Sequence, residues 1–369
     1  MGVTRAFHWY LPTHGDTTAV ADNQGSAAVR ADSHLEPTLA NLTALGRAAE
    51  NHGFQAVLTP TGSHCEDSWI ATAALAQHTR YLKYLVAFRP GVLSPTLAAQ
   101  QVSTYQRFTG NRLALNIVTG GDEEEMRRYG DGADKAARYR RTGEFLSVVR
   151  GIWGDPDYSF RGEFYDIDHA RTAYPLDHVP TIYFGGSSLE AIEVAAEHAD
   201  VYLTWGEPPE QVAEKIERVR TAAQRRGRTL RYGVRLHTVA RPTAALAWQR
   251  ADELISGLGA DEVRRAHERF LGSGSEGQRR MAALTTGDLV DARSLEVHPG
   301  LWAGPSLLRD GAGTAAIGSY ADVAAVFEEY AALGVTEFVL SGYPQKVEIE
   351  HVGAGVLPLV RTPATAAAG

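Results

Sequence analysis

Residues 200–240 read DVYLTWGEPPEQVAEKIERVRTAAQRRGRTLRYGVRLHTVA and contain two apolar runs separated by one helical pattern. The runs DVYLTW (200–205) and YGVRLHTVA (232–240) are rich in aromatic and β-branched residues, as buried strands are. Between them, PEQVAEKIERVRTAAQRRG (209–227) repeats its apolar residues three and four positions apart, which is typical of an amphipathic helix. This order indicates two parallel strands joined by a crossover helix.

The same alternation of apolar runs and helical patterns extends along most of the chain. Eight such units favour a closed (β/α)8 TIM barrel of the α/β class over an open Rossmann sheet, and no GxGxxG follows the first strand. We therefore predict a single barrel domain over residues 1–361, followed by a disordered low-complexity tail at 362–369. The strand candidates are residues 6–12, 54–59, 82–88, 112–118, 181–186, 200–205, 232–240 and 336–342.

One connection, between the seventh and eighth strands, is far longer than a single helix requires. It includes a Gly- and Ser-rich insertion at about 258–318, which leaves the carboxyl end of a strand. Because barrel active sites lie at that end, we predict that the insertion is a lid over the active site. A surface excursion or an oligomer contact is the alternative. A shorter insertion, YSFRGEFYDID (158–168), predicts a two-stranded flap.

Composition and charge exclude several classes of protein. The chain of 369 residues is 44% hydrophobic and 22% charged, and its net charge of −8 argues against a nucleic-acid surface. No apolar run approaches the roughly 18 residues of a membrane span. The single cysteine fits a reducing cytoplasm. The histidines lack metal-ligand spacing and no GxSxG is present, so we predict neither a metal site nor a serine hydrolase.

Polar residues at the predicted strand ends indicate an anion site. His8 and Tyr10 share one face of the first strand, and Arg235 and His237 share one face of the seventh. A cation and a titratable ring inside a half-buried cavity favour an anionic ligand, with salt bridges to a neighbouring strand as the alternative. Arg309, on the predicted lid, would close over such an anion.

A second anion site is predicted where FGGSSLEA (184–191) follows the fifth strand. Its glycines let the backbone approach a ligand, and Ser187 and Ser188 lie at a helix N-terminus, which attracts phosphate. An ordinary turn with a serine N-cap is the alternative. Asn116 and Thr119, which leave the fourth strand, strengthen the case for a phosphate-bearing cofactor. These residue types alone do not distinguish a flavin from a sugar phosphate.

The only cysteine, Cys65, lies in TPTGSHCEDSW (59–69), after the second strand. A cysteine nucleophile needs a base held in geometry, and a histidine adjacent in sequence should point elsewhere in a loop. We therefore interpret Cys65 as a residue that lines the site.

Taken in chain order, the strand-end motifs resemble the FMNH2-dependent alkanesulfonate monooxygenases of the bacterial luciferase-like superfamily. The resemblance implies a (β/α)8 barrel that takes reduced FMN from a separate NAD(P)H-dependent FMN reductase and uses O2 to convert an alkanesulfonate to an aldehyde and sulfite. It also implies a homo-oligomer, either a dimer or a tetramer. The motifs are WYLPTHGD, PTGSHCEDSW, LVAFRPGVLSPTLAAQQ, NIVTGGD, YFGGSS, YLTWGEPPE, RLHTV, LWAG with RDGAGTA, and FVLSGYP.

The resemblance also implies roles for single residues. Proton transfer falls to Arg235, His237 or Tyr343, and the residues alone do not rank them. The sulfonate chain length stays open, and the alternatives are another organosulfur substrate such as a sulfone, or a non-catalytic flavin-binding barrel. The implied catalytic residues are Arg235, His237, Tyr343 and Arg309; the cofactor-binding residues are Cys65, Asn116, Thr119, Tyr139, Ser187 and Ser188; and the substrate-binding residues are His8, Trp205, Arg235, His237, Arg309 and Tyr343.

Overall fold

The computed structural model of the protein describes residues 4–18, 20, 34–288 and 291–360. Eight strands pair in parallel in chain order, and the eighth pairs with the first, so the sheet closes into a barrel. The predicted (β/α)8 barrel is therefore confirmed, whereas the predicted tail at 362–369 lies outside the described residues. The strands are β1 (Ala6–Tyr10), β2 (Ala56–Thr59), β3 (Lys83–Phe88), β4 (Leu113–Ile117), β5 (Thr181–Phe184), β6 (Val201–Trp205), β7 (Arg231–Arg241) and β8 (Val335–Ser341).

Helices follow the strands, and side-chain caps define where several of them begin. The hydroxyl of Ser94 caps the helix that starts at Pro95, and Gly110 ends it in the left-handed conformation. The helices are α1 (Leu39–Asn51), α2 (Ser68–Leu75), α3 (Pro95–Thr109), α4 (Glu123–Arg128), α5 (Lys135–Gly154), α6 (Leu189–His198), α7 (Pro209–Gln224), α8 (Ala244–Ile255), α9 (Ala260–Leu271), α10 (Glu276–Ala282), α11 (Tyr320–Ala332), α12 (Gln345–Glu350) and α13 (Leu357–Val360).

Strand β1 shows how period-two alternation divides the core into two regions. Phe7 and Trp9 join the apolar layer between the barrel and its helices, where Trp9 packs against Phe54 with ring centroids 5.4 Å apart. Tyr10 instead belongs to a small cluster with Leu58 and residues of five other strands. Alternate residues of each strand therefore fill the barrel or face the helices.

The insertion at 258–318 is a packed unit. It contains α9, α10 and the short antiparallel strands Glu296–His298, Leu301–Trp302 and Ala315–Ser319, the last of which extends the sheet beside β7. Most of its described buried apolar side chains form one cluster with α8 and Tyr343. The described part of the insertion therefore packs against the barrel, and its role as a lid or an oligomer contact stays a prediction. The predicted flap is an antiparallel pair, Tyr158–Arg161 with Asp166–Ala170.

Buried His198 on α6 should make the fold sensitive to acid. Burial, and then the nearby arginines Arg150, Arg228 and Arg226, lower its pKa to about 4 from an ordinary value of 6.5. Between these values the unfolded chain binds a proton that the folded chain does not, so the free energy of unfolding falls as pH falls. We expect a loss of about 2 kcal/mol between pH 7 and pH 5 from this group.

Urea unfolding of the parent and of His198→Gln at both pH values measures this contribution. The variant should lose less stability than the parent on acidification. An equal loss in the two proteins would contradict the assignment.

Candidate active site

Two arginines face one tyrosine ring at the carboxyl end of the barrel. Arg235, near the middle of β7, is 5% exposed, and its guanidinium carbon lies 4.8 Å from the centroid of the Tyr10 ring. The guanidinium carbon of Arg309, on the insertion, lies 5.8 Å from the same centroid. The structure thus brings together two cations that are 74 residues apart in sequence.

Neither guanidinium is neutralised by a carboxylate. Arg235 and Arg309 form no ion pair with any Asp or Glu in the part of the chain that the structure describes. Burial, and then the charge of Arg309, lower the pKa of Arg235 to about 9, so it is still mostly charged at neutral pH. The alternative of a structural salt bridge for Arg235 is therefore not supported, and an anionic ligand fits better.

Tyr343 and His237 complete this group. The Tyr343 hydroxyl accepts a hydrogen bond from Nη1 of Arg309 at 2.8 Å, and its ring stacks on His237 with centroids 5.1 Å apart. Both rings are buried. His237 Nδ1 lies 2.7 Å from Ser341 Oγ and Nε2 lies 3.0 Å from the carbonyl oxygen of Ala312. The four residues predicted as catalytic are therefore neighbours.

The turn after β5 carries the residues of the second predicted anion site. Ser188 caps α6 by accepting from the amide of Ala191, and Ser187 is buried beside it. A β-carbon at Gly186, where φ is +132°, would lie 2.6 Å from the Ala191 β-carbon, so only glycine fits. Tyr139 approaches from α5, and its hydroxyl would lie 3.4 Å from a β-carbon at Gly186. Free amides at the start of a ten-residue helix suit a phosphate group.

Polar groups on β4, the strand that pairs with β5, fit a ligand with hydrogen-bonding edges. Asn116 is half-buried on β4, and buried Thr119 follows that strand. The hydroxyl of Thr119 has no hydrogen-bond partner among the described residues. Because a buried hydroxyl without a partner is costly, this atom is suited to a bound ligand. The phosphate turn and this unpaired group together fit a flavin mononucleotide.

An ion pair that sequence reasoning missed connects three loops near Cys65. Buried Arg89, which follows β3, donates from Nη2 to Oε2 of buried Glu125 at 2.5 Å. Oε1 of Glu125 accepts from the amide of Ser63 at 3.2 Å, so the loops after β2, β3 and β4 are joined. Nε and Nη1 of Arg89 have no partner in the described ranges and could donate to a ligand. The only signal was an arginine directly after a strand, in FRPG.

His8 and Trp205, which were also predicted to bind substrate, lie at the edge of the group formed by the four residues predicted as catalytic. His8 is one layer inside the barrel, where its Nε2 lies 2.8 Å from Oε2 of Glu337, which also pairs with Arg231. The His8 ring is therefore held in an ion-pair cluster inside the barrel. Tyr10 is the residue of β1 that lies at the mouth of the barrel. Trp205 ends β6 beside the insertion, where a β-carbon at Gly277 would lie 3.0 Å from its Cζ3 atom.

Cys65 should react slowly with thiol reagents. Burial raises the pKa of its thiol to about 12, although the nearby Thr13 side chain acts in the opposite direction. Because the thiolate is the reactive form, we expect alkylation by iodoacetamide at pH 8 to be at least about tenfold slower than in the urea-unfolded protein. Mass spectrometry measures the rate without ambiguity, since no second cysteine is present. Equal rates in folded and unfolded protein would contradict the burial of this thiol.

Across residues 4–18, 20, 34–288 and 291–360, no group of three or more His, Cys, Asp or Glu side chains could hold a metal ion. Over the same ranges, every helix is too short or too polar to span a bilayer.

Solved structures with the same architecture include three enzymes of low sequence identity. A riboflavin lyase, solved with a modified FMN and riboflavin, aligns with a TM-score of 0.78 and 17% identity over 97% of this chain and 91% of its own. A long-chain alkane monooxygenase aligns with a TM-score of 0.77 and 16% identity over 98% and 92%. The EDTA monooxygenase of Chelativorans sp. BNC1 aligns with a TM-score of 0.74 and 16% identity over 97% and 93%.

Family membership rests on the sequence itself. The family model for luciferase-like monooxygenases matches residues 6–337, which span β1 to the first part of β8 and include the whole insertion. The protein belongs to the luciferase-like monooxygenase family.

Proposed function

We propose that the protein is a two-component monooxygenase that uses reduced FMN and O2 to convert an alkanesulfonate to an aldehyde and sulfite. The observation that carries this proposal is the pair of arginines, Arg235 and Arg309, that face Tyr10 without a carboxylate partner among the described residues. A sulfonate is a permanent anion with three acceptor oxygens, so it suits two guanidinium groups in a site from which water is excluded.

Reduced FMN would be held by residues on the same face of the barrel. Ser187, Ser188 and Tyr139 would bind its phosphate, and Asn116, Thr119 and Cys65 would line its ring. When bound, reduced FMN supplies the electrons that activate O2. Burial keeps the Cys65 thiol protonated at neutral pH, so it would contact the cofactor as a neutral group.

The hydrogen bonds of the site favour Tyr343 as the group that moves a proton. Both ring nitrogens of His237 are engaged, with Ser341 and with Ala312. The hydroxyl oxygen of Tyr343 accepts from Arg309, which leaves its own proton available to the substrate. Arg235 and Arg309 would bind and orient the sulfonate while Tyr343 exchanges a proton with it.

The insertion would keep bulk water out of the site. It carries Arg309, and its helix α10 packs beside Trp205, so closure would bring a charge and an aromatic wall over the substrate together. An NAD(P)H-dependent FMN reductase as partner and a dimeric or tetrameric assembly remain predictions from the resemblance, and a cytoplasmic location remains a prediction from the single cysteine.

Sulfite release across a panel of sulfonates tests the proposal. The protein is mixed with an FMN reductase, NADH, O2 and C1 to C10 alkanesulfonates, and sulfite is measured against reactions that omit each component. We expect sulfite from at least one chain length and none without reductase. Consumption of a sulfone but no sulfonate would favour the other organosulfur substrate. Tight binding of reduced FMN without turnover of any substrate would favour a non-catalytic flavin-binding barrel.

A further inference from the structure

Ser341 lies between two residues of the proposed active site. Its side chain is fully buried at the end of β8, and its hydroxyl oxygen is 2.7 Å from Nη1 of Arg235 and 2.7 Å from Nδ1 of His237. Nothing in the motif SGYP distinguished it from an ordinary strand-end serine. It is nevertheless the one residue that contacts both Arg235 and His237 through hydrogen bonds among the described side chains.

The donors and acceptors of this chain allow a single arrangement of protons. A backbone carbonyl only accepts, so Nε2 of His237 carries the proton that bonds to Ala312. Burial, with the charges of Arg309 and Arg235, holds the pKa of His237 well below its ordinary value, so the ring is neutral and Nδ1 carries no proton. Nδ1 therefore accepts from the Ser341 hydroxyl, whose oxygen in turn accepts from Arg235, because arginine only donates.

This tautomer connects the barrel to the loop that carries Arg309. The Nε2–H bond of His237 ends on Ala312, three residues after Arg309, and the backbone amide of His237 donates to Thr314 at 2.8 Å. Arg309 in turn reaches the Tyr343 hydroxyl. Without the Ser341 hydroxyl, Nδ1 of His237 has no donor, and only the bond from Nε2–H to Ala312 still holds the ring. A buried acceptor without a partner is costly, so we expect the ring to turn from this position and to weaken its bond to Ala312.

We propose that Ser341 is a positioning residue, which holds the His237 ring in place for its bond to Ala312 and thereby fixes the Arg309 loop over the barrel mouth. The link to catalysis rests on the proposed function, because it concerns how Arg309 reaches the sulfonate. The hydrogen-bond chain itself does not depend on which substrate is bound.

Three variants of the full-length protein test this proposal. Ser341→Ala removes the hydroxyl, Ser341→Thr retains it, and Ser103→Ala removes a buried hydroxyl on α3 that donates to the carbonyl of Tyr174 far along the chain from the site. Hydrogen exchange of the segment 303–314, followed by mass spectrometry without flavin or sulfonate, reports on the loop. Ring ¹⁵N shifts of His237, assigned by difference against His237→Gln, report on the tautomer.

We expect Ser341→Ala to speed exchange of residues 303–314 several-fold and to change the His237 ring ¹⁵N shifts, because Nδ1 loses its hydrogen-bond donor. Ser341→Thr and Ser103→Ala should resemble the parent. In turnover, Ser341→Ala should raise the KM for the sulfonate about tenfold with unchanged affinity for reduced FMN, as expected for one lost hydrogen bond to a charged network.

Parent-like ring ¹⁵N shifts and parent-like exchange in Ser341→Ala would overturn the proposal. Should that variant fail to fold, Ser341→Cys takes its place, because a thiol fills the site but is a much weaker donor than a hydroxyl. Parent-like ring shifts and exchange in Ser341→Cys would then overturn the proposal. Exchange and ¹⁵N shifts need no turnover, so they can confirm this role of Ser341 even in a protein that releases no sulfite. Conversely, a protein that releases sulfite but shows no effect of Ser341→Ala would support the proposed function and overturn only the role of Ser341.

Discussion

Replacing Arg309 by alanine is expected to lower kcat/KM for the sulfonate by at least about 100-fold, with little change in protein stability. Arg309 is held against Tyr343 and beside Tyr10, and it has no carboxylate partner in the described structure. Removing one of two guanidinium groups leaves the anion with half of its charge-assisted bonds in a site that excludes water. Steady-state sulfite release with reduced FMN in excess measures the loss.

Two controls separate this effect from a general disturbance of the insertion. Arg309→Lys keeps the charge but loses the planar fork of donors, so its activity should lie between those of the parent and the alanine variant. Arg265→Ala removes an exposed arginine from α9 of the same insertion and should behave as the parent. If Arg309→Ala bound reduced FMN and turned over at the parental rate, the assignment of the anion site would fail.

Replacing Glu207 by glutamine is expected to lower the free energy of unfolding by about 3–5 kcal/mol, the largest stability effect that we predict. Glu207, which follows β6, is fully buried and forms ion pairs with Lys215, itself 1% exposed, and with Arg280 on α10. Burial lowers the pKa of Lys215, and the carboxylate of Glu207 counteracts that effect. Without the carboxylate, a lysine charge would lie inside the protein with no counter-charge.

Urea unfolding measures this effect against two further variants. Glu268→Gln makes the same chemical change at an exposed position of α9 and should change stability by less than about 0.5 kcal/mol. Adding Lys215→Met to Glu207→Gln should restore much of the lost stability, because no uncompensated charge then remains buried. A Glu207→Gln variant as stable as Glu268→Gln would show that the ion-pair cluster is not formed.

The same cluster explains how the insertion is attached to the barrel. Nε and Nη2 of Arg280 both donate to Oε2 of Glu207, at 3.0 and 2.7 Å, so α10 is tied to the end of β6. Sequence reasoning interpreted TWGEPP through its tryptophan and missed the glutamate. A charged residue in a loop gives no signal of burial when its partners lie 8 and 73 positions further along the chain.

Period two along the strands predicted which residues share a face, although it could not give their depth. Arg235 and His237 were correctly paired on β7, whereas His8 was expected at the mouth with Tyr10. Since a strand rises about 3.3 Å per residue, His8 lies roughly 7 Å deeper than Tyr10 and meets Glu337 instead. Depth depends on where each strand ends in the barrel, which only the closed sheet defines.

Contacts between distant loops were the part of the site that the sequence could not supply. The eight strands and the long insertion were predictable because hydrophobic periodicity is local. Ser341 and the pair Arg89–Glu125 acquire their roles only when separate strand ends come together in the fold. The sequence around a single serine or a loop arginine does not show such a contact. The motifs SGYP and FRPG place Ser341 and Arg89 at strand ends but do not indicate which residues they contact.

A single-turnover reaction with chemically reduced FMN tests the central claim most directly. The protein is loaded anaerobically with reduced FMN and the best sulfonate of the panel, no reductase is added, and O2 is then introduced. We predict that sulfite forms in proportion to the reduced FMN supplied, up to one per flavin, and that no sulfite forms without O2. Oxidation of the FMN that yields only hydrogen peroxide, with every sulfonate intact, would contradict the claim that this barrel is a sulfonate monooxygenase.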